Sequence, residues 1–292
     1  MKPRSIEIIV PPRAPHFVGD GFRVHNFIPS GYHLDMERMT PFVMLDYGSK
    51  HYFPPTDTPR GVGVHPHRGF ETVTIAYKGK VAHHDSAGNS GVIGEGDVQW
   101  MTAASGVLHK EYHEEEFSRK GGEFQMVQLW VNLPAKYKMS KPKYQDIPNS
   151  SISKFQLADK GGVIEVIAGE YNNVKGAAST FSPVNLLNAK LNNGSKAEFS
   201  FPQNYNTALL VIEGSIKVND GETVPANHFV LFENDGEQFA VEALENSIVL
   251  VLSGEPINEP IAAQGPFVMN TRAELAEAIQ DFHNGKFGVL ED

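Results

Sequence analysis

The residues able to do chemistry cluster in G-V-H-P-H-R-G-F-E-T-V-T, positions 63–74, where His65 and His67 stand two apart with Glu71 four further on. Side chains alternate faces along a strand, so His65, His67, Gly69 and Glu71 are expected to project the same way. In G-V-L-H-K-E-Y, positions 106–112, His109 and Glu111 repeat the spacing and could meet the first group inside a barrel. Three imidazoles with a carboxylate suit a divalent transition metal, which takes borderline nitrogen donors together with a hard oxygen. Six of the twelve histidines fall between His65 and His113, denser than a hydrophobic core requires. The chain has no cysteine, which excludes a disulfide framework, a zinc–thiolate site and a thiol nucleophile.

These residues need a rigid frame, and the surrounding sequence supplies short strands. Positions 21–29 and 41–47 read as strands bounded by Gly and Pro, with Phe42, Met44 and Asp46 on one face. Positions 49–60 carry three prolines and read as a loop delivering the chain to the histidine strand. E-T-V-T-I-A-Y-K-G-K-V-A-H-H-D is rich in β-branched residues and breaks at Gly79, as two strands joined by a tight turn do. Further strands follow at 96–103, 106–112 and 123–133. Short strands with turn signals between them imply a sandwich or barrel.

Positions 134–153 are polar and prolyl, and their Lys136, Lys138, Lys141 and Lys143 read as solvated charges on an interdomain connection. The second half repeats the first weakly: F-P-Q-N-Y-N-T-A-L-L-V-I-E-G-S-I-K-V aligns with the histidine unit when Gly214 is set on Gly79. Ser200, Pro202 and Asn206 then replace His65, His67 and Glu71, and His228 stands alone, so no catalytic metal is expected there. Near the end, N-T-R-A-E-L-A-E-A-I-Q-D-F-H-N-G predicts a helix over 271–283. Thr271 and Glu274 form a capping box, and Leu275, Ala278, Ile279 and Phe282 form an apolar stripe.

At 292 residues the chain is long enough for two domains, expected at 1–134 and 135–292. Forty per cent hydrophobic and 21% charged residues describe a globular protein, and no apolar run is long enough to span a bilayer. No signal peptide is visible, so a cytoplasmic location is expected, with the nucleus added in a eukaryote. A formal charge of −10 argues against nucleic-acid binding by the molecule as a whole. A monomer is expected.

H-P-H-R-G-F-E-T-V at 65–73, G-D-V-Q-W-M-T-A at 96–103, G-V-L-H-K-E at 106–111, L-W-V-N-L at 129–133 and G-P-F-V-M-N-T at 265–271 resemble the pirin family, a branch of the bicupins. The resemblance covers both halves. It implies an all-β fold of two tandem cupin domains (antiparallel β-barrel or jelly-roll) with a terminal helix that crosses back onto the first barrel. It also implies one Fe(2+) on His65, His67, His109 and Glu111, with another divalent transition metal as the alternative. Glu111 is thereby preferred as ligand over Glu71, which the general cupin pattern would offer and which could instead hydrogen-bond a ligand. The implied activity is quercetin 2,3-dioxygenase chemistry on a flavonol-like substrate with O2, releasing carbon monoxide, with Glu111 as catalytic base. Phe42, Met44 and Trp100 are the expected pocket walls. The family also implies an alternative, an iron-dependent regulatory or transcriptional-cofactor protein acting on a protein partner, in which Arg23 would belong to the interaction surface.

Overall fold

The computed structural model of the chain describes residues 2–31 and 34–291. Among them 26 strands are accompanied by three α-helices, the longest being the twelve residues Arg272–His283. No helix among the described residues is long and apolar enough to cross a membrane. The strands build two sandwiches in tandem, each a seven-stranded antiparallel sheet packed on a four-stranded one, as expected for two cupin domains. In the first sandwich the larger sheet runs Lys143–Ile147, Val98–Thr102, Phe70–Lys78, Gly122–Asn132, Phe42–Phe53, Phe22–Ile28, His16–Val18. The smaller one runs Gly61–His67, Val107–His113, Val81–Asp85, Ser90–Ile93.

Alternation along the strands decides what each face of the larger sheet does. Val73, Ile75 and Tyr77 on one strand, with Val127 and Leu129 on its neighbour, point out of the first sandwich into a core shared with Leu210, Ile212, Phe229 and Leu252 of the second. The two seven-stranded sheets therefore pack against each other through a buried apolar layer. Tyr47 tightens it by donating its hydroxyl to the Ile212 carbonyl at 3.1 Å, and Tyr77 donates to Asn188 at 2.7 Å. The intervening residues Thr72, Thr74 and Ala76 face the smaller sheet, and that inner space is where the site lies.

The halves exchange segments. Ile6–Val10 pairs with Phe229–Phe232 in the second sandwich, and Lys143–Ile147 pairs with Val98–Thr102 in the first. A division at residue 134 thus follows chain order but not sheet membership, because each exchanged arm covers an edge that would otherwise present unpaired backbone groups. The terminal helix also crosses back: its stripe packs with Phe267, Phe287 and Leu108, and Asp281 accepts from Arg68 at 3.0 Å. Its capping box forms as expected between Thr271 and Glu274. The internal repeat is visible in the backbone, where Gly79 and Gly214 occupy the corresponding turns with φ of +81° in both.

Two segments depart from their expected form. The strand beginning at Phe42 continues to Phe53, so the loop starts only at Pro54; its partner extends equally far, with Phe53 opposite Gly122. Residues 134–153 are not a solvated connection throughout. Lys138 is 2% exposed and donates to the carbonyls of Gly69 and Val268 and to Asn132 Oδ1, at 2.6–2.8 Å.

Candidate metal centre and pocket

Gly61–His67 and Val107–His113 are adjacent antiparallel strands, with His109 directly opposite His65 and Val107 opposite His67. A register shift then places Glu111 opposite Val62. This pairing brings three rings together: centroids lie 4.8 Å apart for His65 and His67, 4.3 Å for His65 and His109, and 4.7 Å for His67 and His109. One ligand atom from each of the three lies within 4.8 Å of the others.

The hydrogen bonds determine which nitrogen each ring offers. His65 Nδ1 lies 2.9 Å from the Gly63 carbonyl and His67 Nδ1 lies 3.4 Å from that of Pro266. A carbonyl only accepts, so both Nδ1 atoms carry the proton and both Nε2 atoms carry a lone pair. In His109 the buried Nε2 has no hydrogen-bond partner, while Nδ1 lies 3.4 Å from His83 Nδ1. Burial, reinforced by the neighbouring imidazoles, holds His67 and His109 well below the usual histidine pKa, so both are neutral, the form that ligates a metal. A buried, unpartnered nitrogen beside two converging lone pairs fits a metal position built on Nε2 donors.

Glu111 is buried beside this cluster but is not among its three tightly grouped members. Its carboxylate groups instead with His83 and His109. Its Oε1 accepts from Thr74 Oγ1 at 3.1 Å and from Gln99 Nε2, and Gln99 Oε1 in turn accepts from Tyr144 at 3.2 Å. Glu71 is elsewhere. The expectation that it shares the face of His65 and His67 fails because Gly69, with φ of +92°, turns the chain from the smaller sheet into the larger one, and alternation does not carry across the turn. A Cβ there would collide with the Val268 carbonyl. Glu71 points with Val73 towards the shared core, where it accepts from Thr102 Oγ1 at 2.7 Å; the expected hydrogen bond to a ligand is replaced by this one. Burial raises its pKa to about 7, against the opposing effect of the Thr102 bond.

A cavity of about 420 Å³ opens beside the histidines, a size ordinary for a small-molecule site. His65, His67 and Glu111 line it together with Phe22, Met44, Met126, Trp130 and the Gly265–Pro266 turn, and Asp46 and Gln128 supply polar atoms. Met44 is a wall as expected, but Phe42 and Trp100 are not: both are wholly buried in the core between the sandwiches, on the other face of the sheet. Trp130 takes their place, stacked on Phe70 at 4.1 Å and edge-on to His67 at 5.2 Å. Arg23 is partly exposed on the strand beside His16–Val18, opposite Phe17.

His83 and Trp130 carry no motif of their own in the sequence, although alternation in V-A-H-H-D places His83 and Asp85 on one face. Register adds that His83 stands opposite Glu111. Among the described residues, the groupings of potential metal ligands both lie in the first sandwich. In the second, Asn206 is occupied by Arg38 and the Thr40 carbonyl, and His228 Nδ1 lies 3.0 Å from the Ala226 carbonyl.

Comparison with known proteins agrees over most of the chain. Residues 21–131 match the family model described as pirin, and residues 186–288 match the pirin C-terminal cupin domain. A protein of Pseudomonas aeruginosa named "Putative quercetin 2,3-dioxygenase PA2418" is 47% identical over 93% of this chain and 94% of its own length. A tomato (Solanum lycopersicum) pirin-like protein is 38% identical over 87% of this chain and 84% of its own. The crystal structure of quercetin 2,3-dioxygenase from Acinetobacter baumannii superposes with a TM-score of 0.93 at 47% identity, covering 99% of this chain and all of that one.

Proposed function

The chain belongs to the pirin family, and from that premise we propose that it is an iron(II)-dependent dioxygenase that opens the heterocycle of flavonol-like substrates, with quercetin as the representative. The observation that carries the reading is the convergence of His65, His67 and the buried His109, the first two on the wall of an apolar cavity, with Nε2 of each available as a donor. The relative and the crystal structure named for this reaction support it at 47% identity. Glu111 is proposed as the fourth ligand, from the side where it groups with His109.

When bound, the iron would supply a Lewis-acid centre with open positions for the substrate oxygens and for dioxygen. The chain's own residues do the rest. Trp130, Met44, Phe22 and Met126 hold a planar ring system and exclude water from its reactive edge. Glu111 takes the proton of the 3-hydroxyl. Both hydrogen bonds to its carboxylate fall on Oε1, so Oε2 is the oxygen left to accept that proton. Gln99 and Thr74 fix the carboxylate plane while it does so, and Tyr144 fixes Gln99. The main-chain carbonyls of Gly63 and Pro266 keep His65 and His67 in the ligating tautomer.

The test is metal analysis of the purified protein and of the His65→Ala, His67→Ala double variant. About one equivalent of iron in the first and almost none in the second is expected, with quercetin-dependent oxygen uptake tracking the iron. Oxygen uptake that persists in the double variant would overturn the proposal.

A further inference from the structure

We propose that His83, held by Asp85, is a positioning residue that fixes the tautomer of His109 and thereby keeps its Nε2 lone pair turned towards the metal position. The inference rests on the metal site proposed above and adds a requirement outside the four ligands. His83 is wholly buried on Val81–Asp85, the strand beside His109, with its ring stacked on Tyr144 at 4.9 Å and an interplanar angle of 17°. Its two nitrogens are engaged at opposite ends: Nε2 lies 3.3 Å from Asp85 Oδ2, and Nδ1 lies 3.4 Å from His109 Nδ1.

A proton count along this line fixes every member. Asp85 is an acceptor, since its Oδ1 receives the backbone N–H groups of Ala87 and Asn89 at 2.9 Å and the Asn89 amide binds both oxygens. The hydrogen on His83 therefore sits on Nε2, and its Nδ1 is left as a lone pair. Two facing nitrogens share one hydrogen, so His109 donates from Nδ1 and its Nε2 is bare. That Nε2 is the buried atom without a partner. His65 and His67 obtain the same tautomer from main-chain carbonyls, whereas His109 obtains it from a side chain that is itself held by an anchored carboxylate. Partners of this kind commonly change metal affinity about 10- to 100-fold when removed.

The experiment compares His83→Phe, His83→Gln and Asp85→Asn with the wild type. Phenylalanine keeps the stack on Tyr144 and removes the acceptor, while glutamine restores one. In Asp85→Asn the amide oxygen takes the Oδ1 side, where three N–H groups converge, so the NH2 faces His83 and reverses the line, forcing a hydrogen onto His109 Nε2. The first readout is the ring-nitrogen NMR spectrum of 15N-histidine-labelled apoprotein; the second is Fe(II) affinity. We expect the Nδ1–H form of His109 in the wild type and in His83→Gln, the Nε2–H form in Asp85→Asn, and a mixture in His83→Phe. Affinity should fall about 10- to 100-fold in His83→Phe and recover most of that loss in His83→Gln. An unchanged His109 tautomer in both His83→Phe and Asp85→Asn would overturn the proposal. So would two metal equivalents in the wild type and one in His83→Phe, because His83 would then be a ligand. The NMR readout is made without metal, so it decides the tautomer relay even if the metal site itself fails its own test.

Discussion

Thr74 donates to Glu111 Oε1 at 3.1 Å, and three residues earlier on the same strand Glu71 points to the opposite face of the sheet. The two carboxylates that sequence offers for one role are thus separated by a wall of β-structure. Glu111→Gln should keep part of its iron through the amide oxygen and lose about 10²- to 10⁴-fold in iron-normalised quercetin turnover, because an amide is no useful base. Glu71→Gln should leave turnover near the wild-type value. Parallel assays of iron content and rate decide it; full activity in Glu111→Gln with none in Glu71→Gln would reverse the roles.

Glu71 should instead be visible in stability. Its folded pKa of about 7 lies above the ordinary value of 4.5, so the folded state holds the proton more tightly than the unfolded one. The stability associated with this group is therefore fully present below about pH 4.5, is lost as pH rises through about 7, and stays reduced above that. The slope is at most about 1.4 kcal/mol per pH unit, so the total is on the order of 3 kcal/mol. Glu71→Gln keeps the shape and an acceptor for Thr102 without the charge. Calorimetry of both proteins should find the variant more stable at pH 8 and the difference largely gone at pH 4.5; a constant difference across that range would contradict the assignment.

Lys138 ties the turn at Gly69, beside His67, to Val268, which follows the Pro266 carbonyl that orients His67. Burial draws its pKa down to about 7, against the opposing pull of Glu259 and Glu274. Lys138→Met leaves two carbonyls and Asn132 Oδ1 without this donor, a loss on the order of 3 kcal/mol. Chemical denaturation measures that loss. Because the same bond network positions the cavity wall, the quercetin KM should rise as well, and an unchanged KM in the folded variant would separate Lys138 from the site.

Sequence made the local chemistry legible and left the long-range arrangement hidden. The two-residue spacing in H-P-H and H-K-E is a strand spacing, and pairing of the two strands set His65 opposite His109 as alternation requires. Alternation misled at Gly69, where a single left-handed residue moves the chain between sheets and takes Glu71 out of the site. Alternation also does not say which face of a strand meets solvent and which meets the other sandwich, so Phe42 and Trp100 read as pocket walls yet lie in the shared core. Lys138 looks like its neighbours Lys136 and Lys141 in a polar stretch; only the fold brings three acceptors to it. The recruitment of Pro266 from beyond the second sandwich has no local signal, since it depends on the chain crossing back.

Trp130 should govern substrate affinity more than chemistry, since it lines the cavity and touches His67 with its edge. Trp130→Leu retains apolar volume without the broad ring face. A KM for quercetin raised about tenfold, with iron content unchanged and kcat altered far less, is the expected split. A fall in kcat alone would assign the ring to the reaction rather than to binding.

The most direct measurement is the gas balance of a single reaction. Iron-loaded protein is given quercetin and oxygen in a closed cell, and oxygen consumed and carbon monoxide released are followed together. The account predicts one carbon monoxide for each oxygen, abolished by chelation and absent in the His65→Ala, His67→Ala double variant. Oxygen consumption with no carbon monoxide, or turnover indifferent to removal of the metal, would contradict it.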